Sequence, residues 1–194
     1  MNTEKLPFMS VATLAIATAL LLLIPLVAMQ FTSEVVWSAS DFIVAGVLLF
    51  GTGLAYLLIT KKDQRLIYRS ASAVALGSAL FLVWSNLAVG IIGSENNSIN
   101  LLYFVVIAIG ITGASTSRFQ PLKLAFTLYA MAGSQLLITV IALLTGMQDL
   151  PGSSISEIVA VNGLFIMLFI ISALLFGKAA RDQKPDQANM SQNP

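Results

Sequence analysis

Three stretches of this chain, residues 6–60, 70–117 and 124–177, contain no lysine or arginine, and each is long enough to cross a membrane twice. The ten basic residues lie at the chain ends or in the two short gaps between these stretches. Cationic side chains resist transfer across a bilayer and collect on the side from which helices insert. The pattern therefore predicts three transmembrane hairpins whose connections alternate between a basic side and a side without basic residues.

Composition supports the same class. With 57% hydrophobic and 10% charged residues, 194 residues carry more apolar surface than one water-facing domain can bury. A span takes about 20 apolar residues at a rise of about 1.5 Å each. Six segments satisfy this, at residues 6–29, 41–60, 71–93, 99–117, 121–146 and 156–177. The expectation is an all-α membrane protein, a six-transmembrane-helix bundle of three helical hairpins over residues 1–177, with both termini cytoplasmic. Residues 178–194, rich in Gln, Asn, Asp, Lys and Pro, are expected to form a flexible cytoplasmic tail. The first apolar run is longer than the core of a signal peptide and is read as an uncleaved span.

On this topology Glu34, Asp41, Glu95, Asp149 and Glu157 share the outer side with no basic residue, while the inner side holds all ten bases with Glu4, Asp63, Asp182 and Asp186. Two accounts of the acids stand side by side. They are either simply tolerated outside, because the insertion rule hardly constrains them, or they converge at an outer mouth and attract cations. Asp41 and Glu157 have a local explanation, since Ser38 and Ser154 precede them by three residues in the pattern of a capping box. Ser98 or Asn100 is expected to cap the fourth span.

Small residues mark expected packing seams: Gly46, Gly51 and Gly53 in span two, Gly110 and Ala114 in span four, Ala130 and Ser134 in span five. Trp37, Tyr103, Tyr56 and Tyr68 are expected as interfacial anchors. Pro25 is expected to produce a local kink in span one. In span three Ala79, Asn86, Gly90 and Gly93 fall on one helical face. Asn86 is expected either to bond a neighbouring helix or to line a cavity with Gln135 and Asn162. The polar connection at residues 93–100 holds Glu95, whose charge opposes the dipole at the end of a helix, and the amides Asn96, Asn97 and Asn100. Together these offer a hard cation a weak set of oxygen ligands.

Three segments carry a resemblance to a known family. They are residues 25–32 (PLVAMQFT) with Glu34 and Trp37; Asp41 and Phe42 followed by residues 48–56 (LLFGTGLAY); and residues 86–95 (NLAVGIIGSE) through Asn97, Asn100 and Tyr103. In these the chain resembles a family of uncharacterised integral membrane proteins found in Gram-negative bacteria. The resemblance covers the first half of the chain, implies a helical inner-membrane protein and brings no activity with it. In the family pattern an Asp follows the Glu and a Pro follows the second Asn; here those places hold Asn96 and Ser98, and losing the acid weakens a cation site.

The chain has no Cys and no His, which removes the usual residues of disulfides, haem ligation, zinc catalysis and histidine-activated nucleophiles. No cofactor, metal or nucleic-acid partner is expected, and no enzymatic activity. The expected function is that of a non-enzymatic bundle in the lipid bilayer that packs against itself or another membrane protein. The alternative is a passive channel or carrier for a small neutral solute or cation. A proton-driven pump is disfavoured, because the candidate acids all lie near the outer boundary.

Overall fold

The computed structural model describes the backbone of residues 8–192 and the side chains of residues 11–183. Its helices are α1 (Phe8–Phe31), α2 (Ala39–Thr60), α3 (Leu66–Ala88), α4 (Leu102–Thr116), α5 (Pro121–Leu144) and α6 (Ile155–Gln192), with short 3₁₀ turns at Ser98–Leu101 and Met147–Asp149. No strand occurs among the described residues. Six helical segments are long and apolar enough to cross a membrane. The chain divides into two compact units, Met1–Lys61 and Lys62–Pro194.

In the first unit α1 packs on α2. Helix α2 begins with the anticipated capping box: the Ser38 hydroxyl accepts from the Asp41 amide and the Asp41 carboxylate accepts from the Ser38 amide at 2.7 Å. The glycine seam of α2 is real but partial. A methyl group at Gly53 would collide with Leu14 and one at Gly46 would lie 3.5 Å from Leu22, whereas Gly51 has nothing within 4 Å. Helix α1 continues through Pro25 to Phe31, and Trp37 meets Phe42 edge-on, with ring centroids 5.2 Å apart.

In the second unit α6 is the organising helix. Buried Ile158, Asn162, Phe165, Phe169, Ser172, Phe176 and Ala179 recur at alternating steps of four and three, with buried Ala173 beside them. That spacing keeps one stripe of a helix facing its neighbours when helices lie at a shallow angle. Helix α5 makes the most extensive contact with α6, α3 lies against α6 and α4 against α5. Between α3 and α6 the Ser172 hydroxyl donates to the Ala71 carbonyl at 2.8 Å, and Tyr68 meets Phe176 edge-on at 5.1 Å. The consecutive helices α3 and α4 touch far less than either touches its non-consecutive or following partner. The tightest associations of α3 therefore come from long-range packing.

Three expectations change. Helix α3 starts five residues earlier than anticipated and ends at Ala88, so Gly90 and Gly93 lie beyond it with φ of +75° and +69°. They share no helical face with Asn86, because both residues take the left-handed conformation that glycine adopts without steric cost. Tyr68 and Tyr103 are buried and do not serve as interfacial anchors. Finally, Gly177 ends nothing: α6 runs on to Gln192, Ala179 is buried, and the Gln183 side chain donates to Asp63 at 3.2 Å. The segment 178–183 therefore belongs to the fold; residues 193 and 194 of the expected tail lie outside the described residues.

Helices α4 and α5 meet at two glycines. A methyl at Gly110 would press on the Met131 sulfur at 2.9 Å, and one at Gly113 would collide with Thr127. Met is flexible, whereas Thr is stiff at χ1 and its hydroxyl here is bonded to the Lys123 carbonyl. Gly113→Ala is therefore expected to destabilise the protein by about 1–3 kcal/mol, and Gly110→Ala to stay within about 1 kcal/mol of the parent because the gain in helix propensity offsets a small Met131 shift. Thermal unfolding in detergent checks the pair; equal losses would refute this account of the seam.

Candidate functional site

The connection between α3 and α4 is built around one amide. Asn100 is 3% exposed; its Oδ1 accepts from the amides of Ile91 and Ile92 at 3.3 and 3.0 Å, and its Nδ2 donates to the carbonyls of Ile92 and Ser94 at 3.2 and 2.9 Å. The side chain supplies partners to the backbone of residues 91 and 92 and a second donor to the Ser94 carbonyl, which also accepts from the Asn97 amide at 3.0 Å. Gly90 is required here, since a Cβ would stand 2.6 Å from the Ser94 carbonyl carbon. Neither Ser98 nor Asn100 caps α4, which follows Leu101 with no side-chain cap; Asn97 caps the preceding 3₁₀ turn, its Oδ1 accepting from the Ile99 amide at 3.2 Å while its Nδ2 donates to the Ile92 carbonyl. Asn86 donates to the Asn100 carbonyl at 3.1 Å, so it bonds this connection and not Gln135 or Asn162.

These bonds determine what the loop offers chemically. The Asn97 and Asn100 amide oxygens are engaged by backbone amides, and Asn96 donates to Glu95 Oε1 at 3.3 Å. Glu95 and Asn96 are exposed. Among the described residues no three His, Cys, Asp or Glu side chains gather as a metal site. Asp41 is exposed and bonded to its own cap, and the Glu157 amide is capped by the Ser154 hydroxyl at 3.1 Å.

Gln135 and Asn162 do come together. Asn162 Oδ1 accepts from both Tyr103 Oη at 2.9 Å and Gln135 Nε2 at 3.0 Å, and its Nδ2 donates to the Ile158 carbonyl one turn back at 2.8 Å. One oxygen thus joins α4, α5 and α6. Gln135 and Asn162 are fully buried and Tyr103 is 1% exposed. Three buried acceptors, Gln135 Oε1, Asn86 Oδ1 and Gln148 Oε1, have no hydrogen-bond partner among the described residues. The role of Tyr103 is not written locally: its position at a helix start suits an anchor, and only the tertiary packing turns it inward.

The two ends of the second unit differ in charge. At one end the Gly93 amide donates to Ser153 Oγ at 3.2 Å and Asn97 reaches Met147, joining the α3–α4 and α5–α6 connections; Glu95, Asp149 and Glu157 lie in or beside them. At the other end Tyr68 Oη donates to the Phe119 carbonyl at 2.8 Å, and Arg65 donates to the Ala179 carbonyl at 2.9 Å. Lys62, Arg65, Arg69, Arg118, Lys123, Lys178 and Arg181 belong to that end. Arg118 and Phe119 there take φ of +49° and +62°, a conformation costing roughly 1–3 kcal/mol for a residue with a side chain. The Ser117 hydroxyl and Tyr68 hold this turn from either side, through the Phe119 amide and carbonyl.

Asp63 anchors the same end. It accepts from Arg65 Nε at 3.0 Å through both oxygens and from the Gln183 amide. The Arg65 hydrogen bonds hold its carboxyl below the usual range, against a smaller opposing effect of burial.

No family model, curated protein or solved structure matches this chain. Among the described residues the fold is all-helical, with six segments long and apolar enough to cross a membrane.

Two outcomes are expected. Asn162→Leu leaves the Tyr103 hydroxyl and the Gln135 amide without their acceptor and should cost about 1–3 kcal/mol. Adding Tyr103→Phe and Gln135→Leu should recover most of it, because removing every partner leaves nothing unsatisfied; thermal unfolding of the single and triple variants measures this. For Asp63, the folded-state pKa lies below the unfolded one, so its contribution is complete above the ordinary carboxylate value of about 3.9 and disappears as pH falls through the lower folded value. The stability difference between the parent and Asp63→Asn should therefore be constant above about pH 5 and close below about pH 4.

Proposed function

We propose that this chain is a non-enzymatic multi-pass protein of a bacterial inner membrane, with cytoplasmic termini, that acts by association of its helices with a second copy or with another membrane protein. The observation that carries this reading is the closed amide cluster of Gln135, Asn162 and Tyr103. The amides that would line a water-filled path in the second unit are instead fully buried and bonded to one another. Orientation is supported by the basic residues gathered at one end of that unit, which the insertion rule assigns to the cytoplasm. The family resemblance supports the inner membrane as its location.

Association is supported by small residues that face outward. Gly133 and Ala130 of α5 are exposed, Ser134 lies beside them, and a methyl at Gly133 would meet nothing within 4 Å. Small residues on a membrane helix allow another backbone to approach closely. A passive solute path remains the second reading, favoured by the unpartnered Gln135 Oε1 in the core.

Because the chain has no Cys, single cysteines separate the two readings. Cysteines at Gln135 and Asn162 should resist an impermeant thiol reagent in native membranes while one at Glu95 reacts; labelling at 135 and 162 would instead establish a solute path. Gly133→Leu should abolish the gentle-detergent complex without lowering the unfolding temperature. A complex that survives this change would remove α5 as the association face.

A further inference from the structure

At the basic end of the second unit a groove of about 230 Å³ runs between α5 and α6. Leu122 and Phe126 of α5 and Leu174 of α6 wall it. The groove is open because Gly177 carries no side chain there: a methyl at that position would meet nothing within 4 Å. Arg181, one turn further along α6, is the only charged residue lining it among the described residues. It is exposed and makes no hydrogen bond or ion pair among the described residues.

Among the described residues, basic charge predominates around the groove. Helix α5 starts at this end, with Pro121 in its first turn and no side-chain cap from Gln120, so its first amides and the positive end of its dipole face the same region. Lys123 and Lys178 neighbour the lining residues in sequence on the two helices. The nearest acid in sequence, Asp182, is exposed and does not line the groove.

An apolar trough ending in an exposed guanidinium with no partner among the described residues matches an amphiphile with an acyl chain and an anionic head. We infer that this groove binds an anionic phospholipid, one acyl chain lying along Phe126, Leu174 and Gly177 and the phosphate meeting Arg181. The apolar walls select a lipid over free phosphate, and the guanidinium selects an anionic headgroup over a zwitterionic one. The inference rests on the membrane reading above, since the groove must face lipid.

The test is lipid titration of the full purified chain, read by native mass spectrometry, with phosphatidylglycerol and phosphatidylcholine of identical acyl chains. Phosphatidylglycerol is expected to bind roughly fivefold more tightly, the factor that corresponds to about 1 kcal/mol for one basic residue near an anionic head. Arg181→Gln, an exposed change, should bring the two lipids to equal affinity. Gly177→Leu should weaken both at an unchanged unfolding temperature; if that variant does not fold, Arg181→Gln still decides. Equal binding of both lipids by the parent, an undiminished preference in Arg181→Gln, unaltered affinity in a folded Gly177→Leu, or competition by inorganic phosphate alone would each overturn the inference. A chain that needs detergent for extraction yet shows no headgroup preference would refute this site and leave the membrane reading standing.

Discussion

The second unit depends on a single shared acceptor, the Asn162 side-chain oxygen, which takes hydrogen bonds from α4 and α5 while its own amide is tied to α6. In lipid the apolar faces of helices gain little from leaving one medium for another, so association rests on close packing and on polar groups with few alternative partners. Asn162 sits in the four-and-three stripe of α6 between Ile158 and Phe165. The polar bond and the aromatic packing thus act on one helix face. Ser172 repeats the device further along that stripe, fixing α3 through the Ala71 carbonyl.

Around that core the ends of the unit do different work. The acidic end is closed by Asn100 and Asn97, whose amides supply hydrogen bonds that the irregular backbone of residues 90–99 would otherwise lack. The basic end is closed by Tyr68 on a left-handed turn and by Asp63, Arg65 and Gln183 on the extension of α6. A helix pair with Lys and Arg at one end and carboxylates at the other also suits the field of a bilayer whose inner leaflet is anionic. Structural closure and charge separation are therefore carried by the same connections.

The helices were legible in the sequence because periodic apolar runs and the spacing of Lys and Arg are local signals. Ser38 and Asp41 were legible for the same reason, since a capping box is written within four residues. What the sequence concealed depends on partners far along the chain. Tyr68 and Tyr103 resemble anchors until Phe119 and Asn162 are brought to them. Asn86 and Asn162 are chemically identical, yet one serves a loop and the other a three-helix junction. The end of α3 was misplaced because Val89, Ile91 and Ile92 continue the apolar run while Gly90 and Gly93 leave the helical conformation. In α2 the three glycines look equivalent in sequence, and only packing distinguishes Gly53 from Gly51.

The central claim is that lipid surrounds these helices, with the basic end of the second unit facing the cytoplasm. Paired reporter fusions test it most directly, using a cytoplasm-active fluorescent reporter and a periplasm-active phosphatase inserted at Gln64 and Gln120, and separately at Ser94 and Gly152. The account predicts fluorescence without phosphatase activity at Gln64 and Gln120 and the reverse at Ser94 and Gly152. Phosphatase activity at Gln64 or Gln120 would contradict it.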